Sequence, residues 1–207
     1  MNSSRRKGRI WALVAAVLSL GAATSTTSEA SSVGSMIAGD FTSQPIGHYE
    51  FCHSNPTECA IRLAKNDPEV LTDKLRSLIE SINASVNKAI KPMNDIDIYG
   101  KDEVWTFPSN GVGDCEDYVL EKRRELNANG MSLANLLITV VRKPDGEGHA
   151  VLTVRTDRGD FILDNLHNDL RLWYNTGYRF LKRQSTDHTG RWVSLREEQN
   201  MLVGSLE

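Results

Sequence analysis

Cys115 stands in the stretch NGVGDCEDYVLEKRRELNANG, residues 110–130, between a glycine-containing approach and a run of helix formers. A cysteine attacks as its thiolate, and the first turn of a helix is one of the few places that stabilises one. Free backbone N–H groups and the positive end of the helix dipole both lower the thiol pKa. Gly111 and Gly113 allow a sharp turn just ahead of the cysteine and leave the sulfur approachable. The Cys115 N–H then faces the place where an oxyanion would form. Asp114, Glu116 and Asp117 work in the opposite sense, since bare negative charge repels a thiolate and raises its pKa. On residue frequency alone the alternative is a buried structural cysteine. The glycine approach and the charged neighbours argue against it.

A nucleophile of this kind needs a base and a group to orient the base. EGHAVL puts His149 at the start of a strand, just after a glycine turn, whereas His48, His53, His167 and His188 fall in an arm or in loops. FILDNL offers Asp164 among apolar neighbours, where a carboxylate requires a partner because burying it alone is costly. A core or edge histidine and a salt-bridged or capping aspartate are the ordinary alternatives. If Arg158-Gly159 is a two-residue hairpin tip, His149 and Asp164 point to the same side of the sheet. That register sets Asp164 opposite Thr153, about 13 Å along the strand from His149. A same-face placement is expected; contact would require a different loop or a bulge.

The elements that must hold these residues follow from periodicity. Asp67 as N-cap, Pro68 at the first helical position and Glu69 open a long helix. Its apolar face is Leu71, Leu75, Leu78, Ile82, Val86 and Ile90, and Pro92 stops it. A loop with Trp105, Pro108 and two glycines leads to a second helix from about Cys115 to Ala128, closed by Asn129-Gly130. The period then changes to two: LLITVVRK (136–143), HAVLTVRT (149–156) and FILDNL (161–166) are strands, with YRFLKRQS and WVSLR adding two more. Helices followed by an antiparallel sheet indicate an α+β fold.

The chain has 207 residues, 40 % hydrophobic and 25 % charged, enough for one domain with a sizeable core. Arg5, Arg6, Lys7 and Arg9 precede an apolar run of 14 residues, Ile10 to Ala23, and small residues follow, with a plausible cleavage site at Ser28-Glu29-Ala30. A bilayer-spanning helix needs about 20 residues, so residues 1–30 are assigned as a secretory signal peptide and 31–207 as the functional domain. An uncleaved anchor is the alternative. Without the signal, 20 basic residues face 26 acidic ones, a net charge of −6 with no basic patch, which excludes nucleic acid as a natural partner. Export also makes Cys52 and Cys59, in FCHSNPTEC, a natural short disulfide; two free thiols or a metal pair are the alternatives. Residues 31–65 are expected to form an irregular arm pinned by that bridge.

The segments GDCEDYVLEKRRELNANG, GEGHAVLTVRTDRGDFILDNL and YRFLKRQS…W together resemble the bacterial transglutaminase-like cysteine peptidases, from about Gln44 to Val193. The resemblance implies a papain-like/transglutaminase-like fold, with helices packed on an antiparallel sheet and the nucleophile at a helix N-terminus. By motif position the implied Cys–His–Asp triad is Cys115, His149 and Asp164. The best-known branch consists of periplasmic proteases that clip a large surface adhesin and release biofilms, and their acids beside the nucleophile bind calcium. Carried over, Ca²⁺ is the implied cofactor, held by Asp114, Glu116 and Asp117 through the hard oxygen ligands it prefers, with Asn135 as a further carbonyl donor. The expectation is a monomeric, exported, periplasmic cysteine endopeptidase acting on a protein substrate, with no membrane span once the signal is removed. Acyl transfer by a transglutaminase or amidase uses the same thioester, and a non-catalytic periplasmic binding module is the remaining alternative.

Overall fold

A computed structural model of the chain describes Met1, residues 34–64 and residues 67–196. The assigned signal segment, apart from Met1, and the chain beyond Arg196 lie outside the described residues. Among the described residues, seven strands form one antiparallel sheet. In chain order they are β1 (Ala38–Thr42), β4 (Leu136–Arg142), β5 (Gly148–Thr156), β6 (Gly159–Leu163), β7 (Arg171–Leu172), β8 (Arg179–Gln184) and β9 (Trp192–Leu195), and the spatial order is β1-β9-β8-β4-β5-β6-β7. A separate short parallel pair joins β2 (Lys91–Pro92) to β3 (Val112–Gly113). The helices are α1 (Ile46–Ser54), α2 (Pro56–Cys59), α3 (Asp73–Ala89), α4 (Asp95–Tyr99) and α5 (Cys115–Ala128). No helix among the described residues is long and apolar enough to cross a membrane.

The strands have apolar residues on both faces because both faces are covered. Alternate residues Leu152 and Val154 of β5, with Phe161 and Leu163 of β6, pack against Ile79, Ile82 and Val86 of α3 and Tyr118, Val119 and Leu126 of α5. The opposite face buries Val141, Val151, Ile162 and Phe180 beside Met36 and Trp173. That second layer also holds a buried ion pair, Arg183 Nη1 to Asp160 Oδ2 at 3.2 Å, and the Met36 N–H donates to the same oxygen at 2.9 Å.

Two expectations change. The long helix begins at Asp73 rather than after Asp67, with the Thr72 hydroxyl accepting from the Leu75 N–H. Residues ahead of it are drawn to the sheet instead: the Glu69 N–H donates to the Arg155 carbonyl, the Asp157 N–H to the Glu69 carbonyl, and the Leu71 N–H to Asp157 Oδ1. A backbone already paired with β5 cannot start a helix, although Leu71 still enters the core. The arm is likewise less irregular than expected. Its first part, β1, pairs with β9 at the sheet edge, and its second part forms α1 and α2. Cys52 and Cys59 are joined as a disulfide that ties those two helices together. His48 is buried beside the bridge with Trp105 and Trp192 edge-on to it, and burial, with the Arg123 charge, depresses its pKa to about 3.

Lys122, two turns into α5, is fully buried. Its ammonium lies 5.8 Å from the Tyr118 ring centroid and lacks a hydrogen-bond partner among the described residues. Burial pulls its pKa down to about 7, against the attraction of Asp164. The unfolded chain therefore holds a proton on this side chain that the folded one resists, so its stability penalty is full at acid pH and disappears as pH rises from about 7 to 10.5. Lys122→Met should raise unfolding free energy by about 1–3 kcal/mol at pH 6. The gain over wild type should shrink towards pH 10, as measured by denaturant unfolding at each pH.

Candidate active site

The nucleophile candidate and the His/Asp candidates come from different layers. Cys115 is the first residue of α5 and Asp114 its N-cap. The two preceding glycines do separate things. Gly111 takes φ +75°, a left-handed turn that favours glycine. Gly113 makes room: a Cβ there would lie 2.5 Å from Asp117 Oδ2. That second glycine makes room for Asp117, rather than giving access to the sulfur.

His149 and Asp164 come together because the hairpin tip is Asp157-Arg158, with Thr156 opposite Gly159 and Leu152 opposite Leu163. This register lies two residues from the expected one. It keeps the two residues on the same face, as expected, and brings Asp164, just past β6, level with the residue two along from His149. His149 Nε2 and Asp164 Oδ1 are 2.9 Å apart. The Leu166 N–H donates to the same oxygen at 3.0 Å, and the Tyr178 hydroxyl donates to Oδ2 at 2.7 Å. Burial works against the Asp164 carboxylate, but His149, then Leu166 and Tyr178, prevail and hold its pKa down to about 2. With Nε2 so engaged, Nδ1 is the nitrogen left to face a nucleophile.

The Ala150 backbone N–H, one residue on from His149 in the same strand, favours the Cys115 thiolate. Larger effects oppose that. Burial comes first, followed by the Glu116 carboxylate, whose Oε2 accepts from Sγ at 3.1 Å, and together they raise the thiol pKa well above its ordinary value. The helix terminus alone does not activate this cysteine.

The acids around it are gathered more tightly than the sequence suggests. Asp95, on α4, joins Asp114 and Asp117, and one carboxylate oxygen from each lies within 4.8 Å of the others. Asp114, Cys115 and Glu116 form an overlapping group. The Thr106 N–H donates to Asp117 Oδ1 at 2.9 Å, and the Val104 N–H to Asp95 Oδ2. Asp95 Oδ1, Asp114 Oδ1 and Asp117 Oδ2 are buried with no partner among the described residues. Burial first, then the charge of Asp114, raises Glu116 to about 9 and Asp117 to about 7, with the Thr106 N–H resisting the latter shift. Orphaned carboxylate oxygens converging in a buried space fit a hard divalent cation that takes oxygen ligands. Asn135 is elsewhere. It precedes β4 at the end paired with Val154, whereas His149 pairs with Val141, and its amide binds the Asp67 carbonyl, Glu69 and Arg155.

Sequence reasoning missed Asp95 and Tyr178. The acidic run NDIDIYG was a visible signal for the first, though its distance along the chain concealed its neighbours. Nothing in TGYRF marks the second.

Residues 38–200 match the family model described as bacterial transglutaminase-like cysteine proteinase. Among solved structures, Legionella pneumophila LapG aligns at 25 % identity and TM-score 0.49, covering 60 % of this chain and 69 % of that one. Its calcium-bound form aligns at 24 % identity and TM-score 0.50, covering 66 % and 77 %, a likeness of fold. No curated protein matches the chain.

A carboxyl group whose folded pKa is raised stabilises the fold below its unfolded pKa and loses that contribution as pH rises through the folded value. With chelator present, Asp117→Asn should therefore become more stable than wild type as pH climbs from 4 to 8. The difference should reach the order of 2 kcal/mol, as measured by denaturant unfolding.

Proposed function

The chain belongs to the bacterial transglutaminase-like cysteine proteinases and is a cysteine peptidase; on that premise we propose that it cleaves an exported protein substrate through Cys115, His149 and Asp164. The observation that carries this is the 2.9 Å His149–Asp164 bond, with the N–H of Ala150, next to His149, favouring the Cys115 thiolate. Asp164 fixes the imidazole with Nε2 turned away from the nucleophile. His149 takes the thiol proton, the sulfur attacks a peptide carbonyl, and the Cys115 N–H at the helix terminus stabilises the oxyanion. His149 returns the proton to the leaving amine, and water, deprotonated by the same imidazole, releases the thioester acyl group.

Beyond burial, the part of the raised thiol pKa that comes from the acids is removed only when they are compensated. We propose that Asp95, Asp114, Glu116 and Asp117 hold calcium, an ion present in one named form of the structural neighbour. Bound there, Ca²⁺ would cancel the acids' share of the effect that keeps the Cys115 thiol protonated. The three orphaned oxygens support this reading and extend the sequence-based ligand set by Asp95.

The disulfide suits an oxidising compartment. It supports a secreted, periplasmic domain spanning residues 31–207 after removal of a signal peptide at 1–30. A large surface adhesin is the proposed substrate and a monomer the proposed state.

Secreted and surface proteins from wild-type and Cys115→Ala cells are to be compared by mass spectrometry of new N-termini. Fragments should appear only with the intact cysteine; identical patterns would refute the peptidase assignment for these residues. Incorporation of a labelled amine into a glutamine-containing protein, without new termini, would instead assign acyl transfer. Calcium at about 100 times its Kd should raise the melting temperature by roughly 5–10 °C. Asp95→Asn should lose most of that rise, and a chelator should suppress cleavage.

A further inference from the structure

Asp164 lies beyond the last ladder position of β6, so strand pairing does not fix its side chain. Three donors do: His149 and the Leu166 N–H on Oδ1, and the Tyr178 hydroxyl on Oδ2 at 2.7 Å. Tyr178 reaches both members of the His149–Asp164 pair. Its ring also meets the His149 ring edge-on, at 77° and 5.7 Å between centroids.

The tyrosine is itself held firmly. It directly precedes β8, where Arg179 pairs with Arg142, and β4 in turn pairs Val141 with His149, so the ring reaches across the end of β4. The preceding turn is built for this. Gly177 takes φ +72°, the Thr176 hydroxyl donates to the Trp173 carbonyl at 2.7 Å, and the Tyr178 N–H donates to Thr176 Oγ1. Trp173 anchors that turn through its Nε1 donor to the Gly34 carbonyl at 2.8 Å and its edge-on contact with Phe180. Burial, then the bond to Asp164, raises the phenol pKa, so it stays a donor throughout the working range.

We propose that Tyr178 is a positioning residue of the peptidase site: its hydroxyl locks the Asp164 carboxylate, and its ring edge locks the His149 imidazole with Nδ1 directed at Cys115. The inference rests on the triad reading above. It makes the site a four-residue unit in which a turn anchored to the N-terminal segment sets the orientation of the base. The two contacts have separable roles, because removing the oxygen leaves the ring in place.

The test uses alkylation of Cys115 by iodoacetamide, since the other two cysteines are bridged. Rates are measured in excess calcium on the signal-free chain for wild type, Tyr178→Phe, Asp164→Asn and the double variant. Tyr178→Phe should slow alkylation about fivefold, the worth of one hydrogen bond of about 1 kcal/mol. That effect should vanish when Asp164 is already Asn, because residues acting as a unit are not additive. In proton NMR, the downfield His149 Nε2–H signal should shift or broaden in Tyr178→Phe, a change that a purely structural tyrosine would not produce. Equal slowing in both backgrounds, or an unmoved imidazole signal, would overturn the proposal. If Asp164→Asn slows the reaction and Tyr178→Phe does not, this inference fails and the triad stands. If Asp164→Asn leaves the rate unchanged, both fall.

Discussion

Four carboxyl groups, from the buried Asp95, Glu116 and Asp117 and the half-buried Asp114, crowd together at the start of α5, and the surrounding structure is arranged around that cost. Charge removed from water is expensive unless something compensates it. The loop between α4 and β3 supplies part of the compensation: the N–H groups of Val104 and Thr106 turn inward to donate to Asp95 and Asp117. The missing Cβ of Gly113 admits Asp117 to the cluster. The remaining imbalance appears as raised acid pKa values and a thiol held in its neutral form. A helix dipole is worth roughly half a charge at its terminus, too little against several acids in a desolvated pocket. The electrostatic state of the Cys115 thiol is thus set by burial and by the acids rather than by the helix.

The other half of the site depends on backbone register. His149 and Asp164 meet because the β5–β6 hairpin closes at Asp157-Arg158. A slip of two residues to the expected register would keep both side chains on the same face and set them about 13 Å apart along the strand. Division of labour follows from this layout. The helix layer carries the sulfur and the acids that control it, while the sheet carries an imidazole–carboxylate pair whose geometry does not depend on those acids.

Much of this was legible in the sequence where the deciding forces are local. The bounds of α5, the strands from Leu136 onward and the same-face placement of His149 and Asp164 follow from periodicity and parity, which depend only on neighbours along the chain. The misreadings share one cause. Asp67-Pro68-Glu69 has the residues of a helix start, but the Glu69 backbone is claimed by Arg155 and Asp157, which are remote in sequence. The arm conceals β1 because its pairing partner, β9, is at the far end of the chain. Asp95 and Tyr178 were missed for the same reason, as each acquires its role only through space. The hairpin tip failed by a smaller margin: Arg158-Gly159 and Asp157-Arg158 are both chemically reasonable turns, and the choice between them rests on packing across the whole sheet.

The free cysteine has a consequence for the protein's durability. With Cys52 and Cys59 committed to each other, Cys115 has no resolving thiol within the chain. An oxidant that reached its thiolate would drive it through sulfenic acid towards irreversible sulfinic and sulfonic forms. Such damage proceeds through the ionised sulfur, and burial, with the Glu116 carboxyl beside it, disfavours that ionisation. The surroundings that keep the thiol neutral therefore also shield it from oxidation.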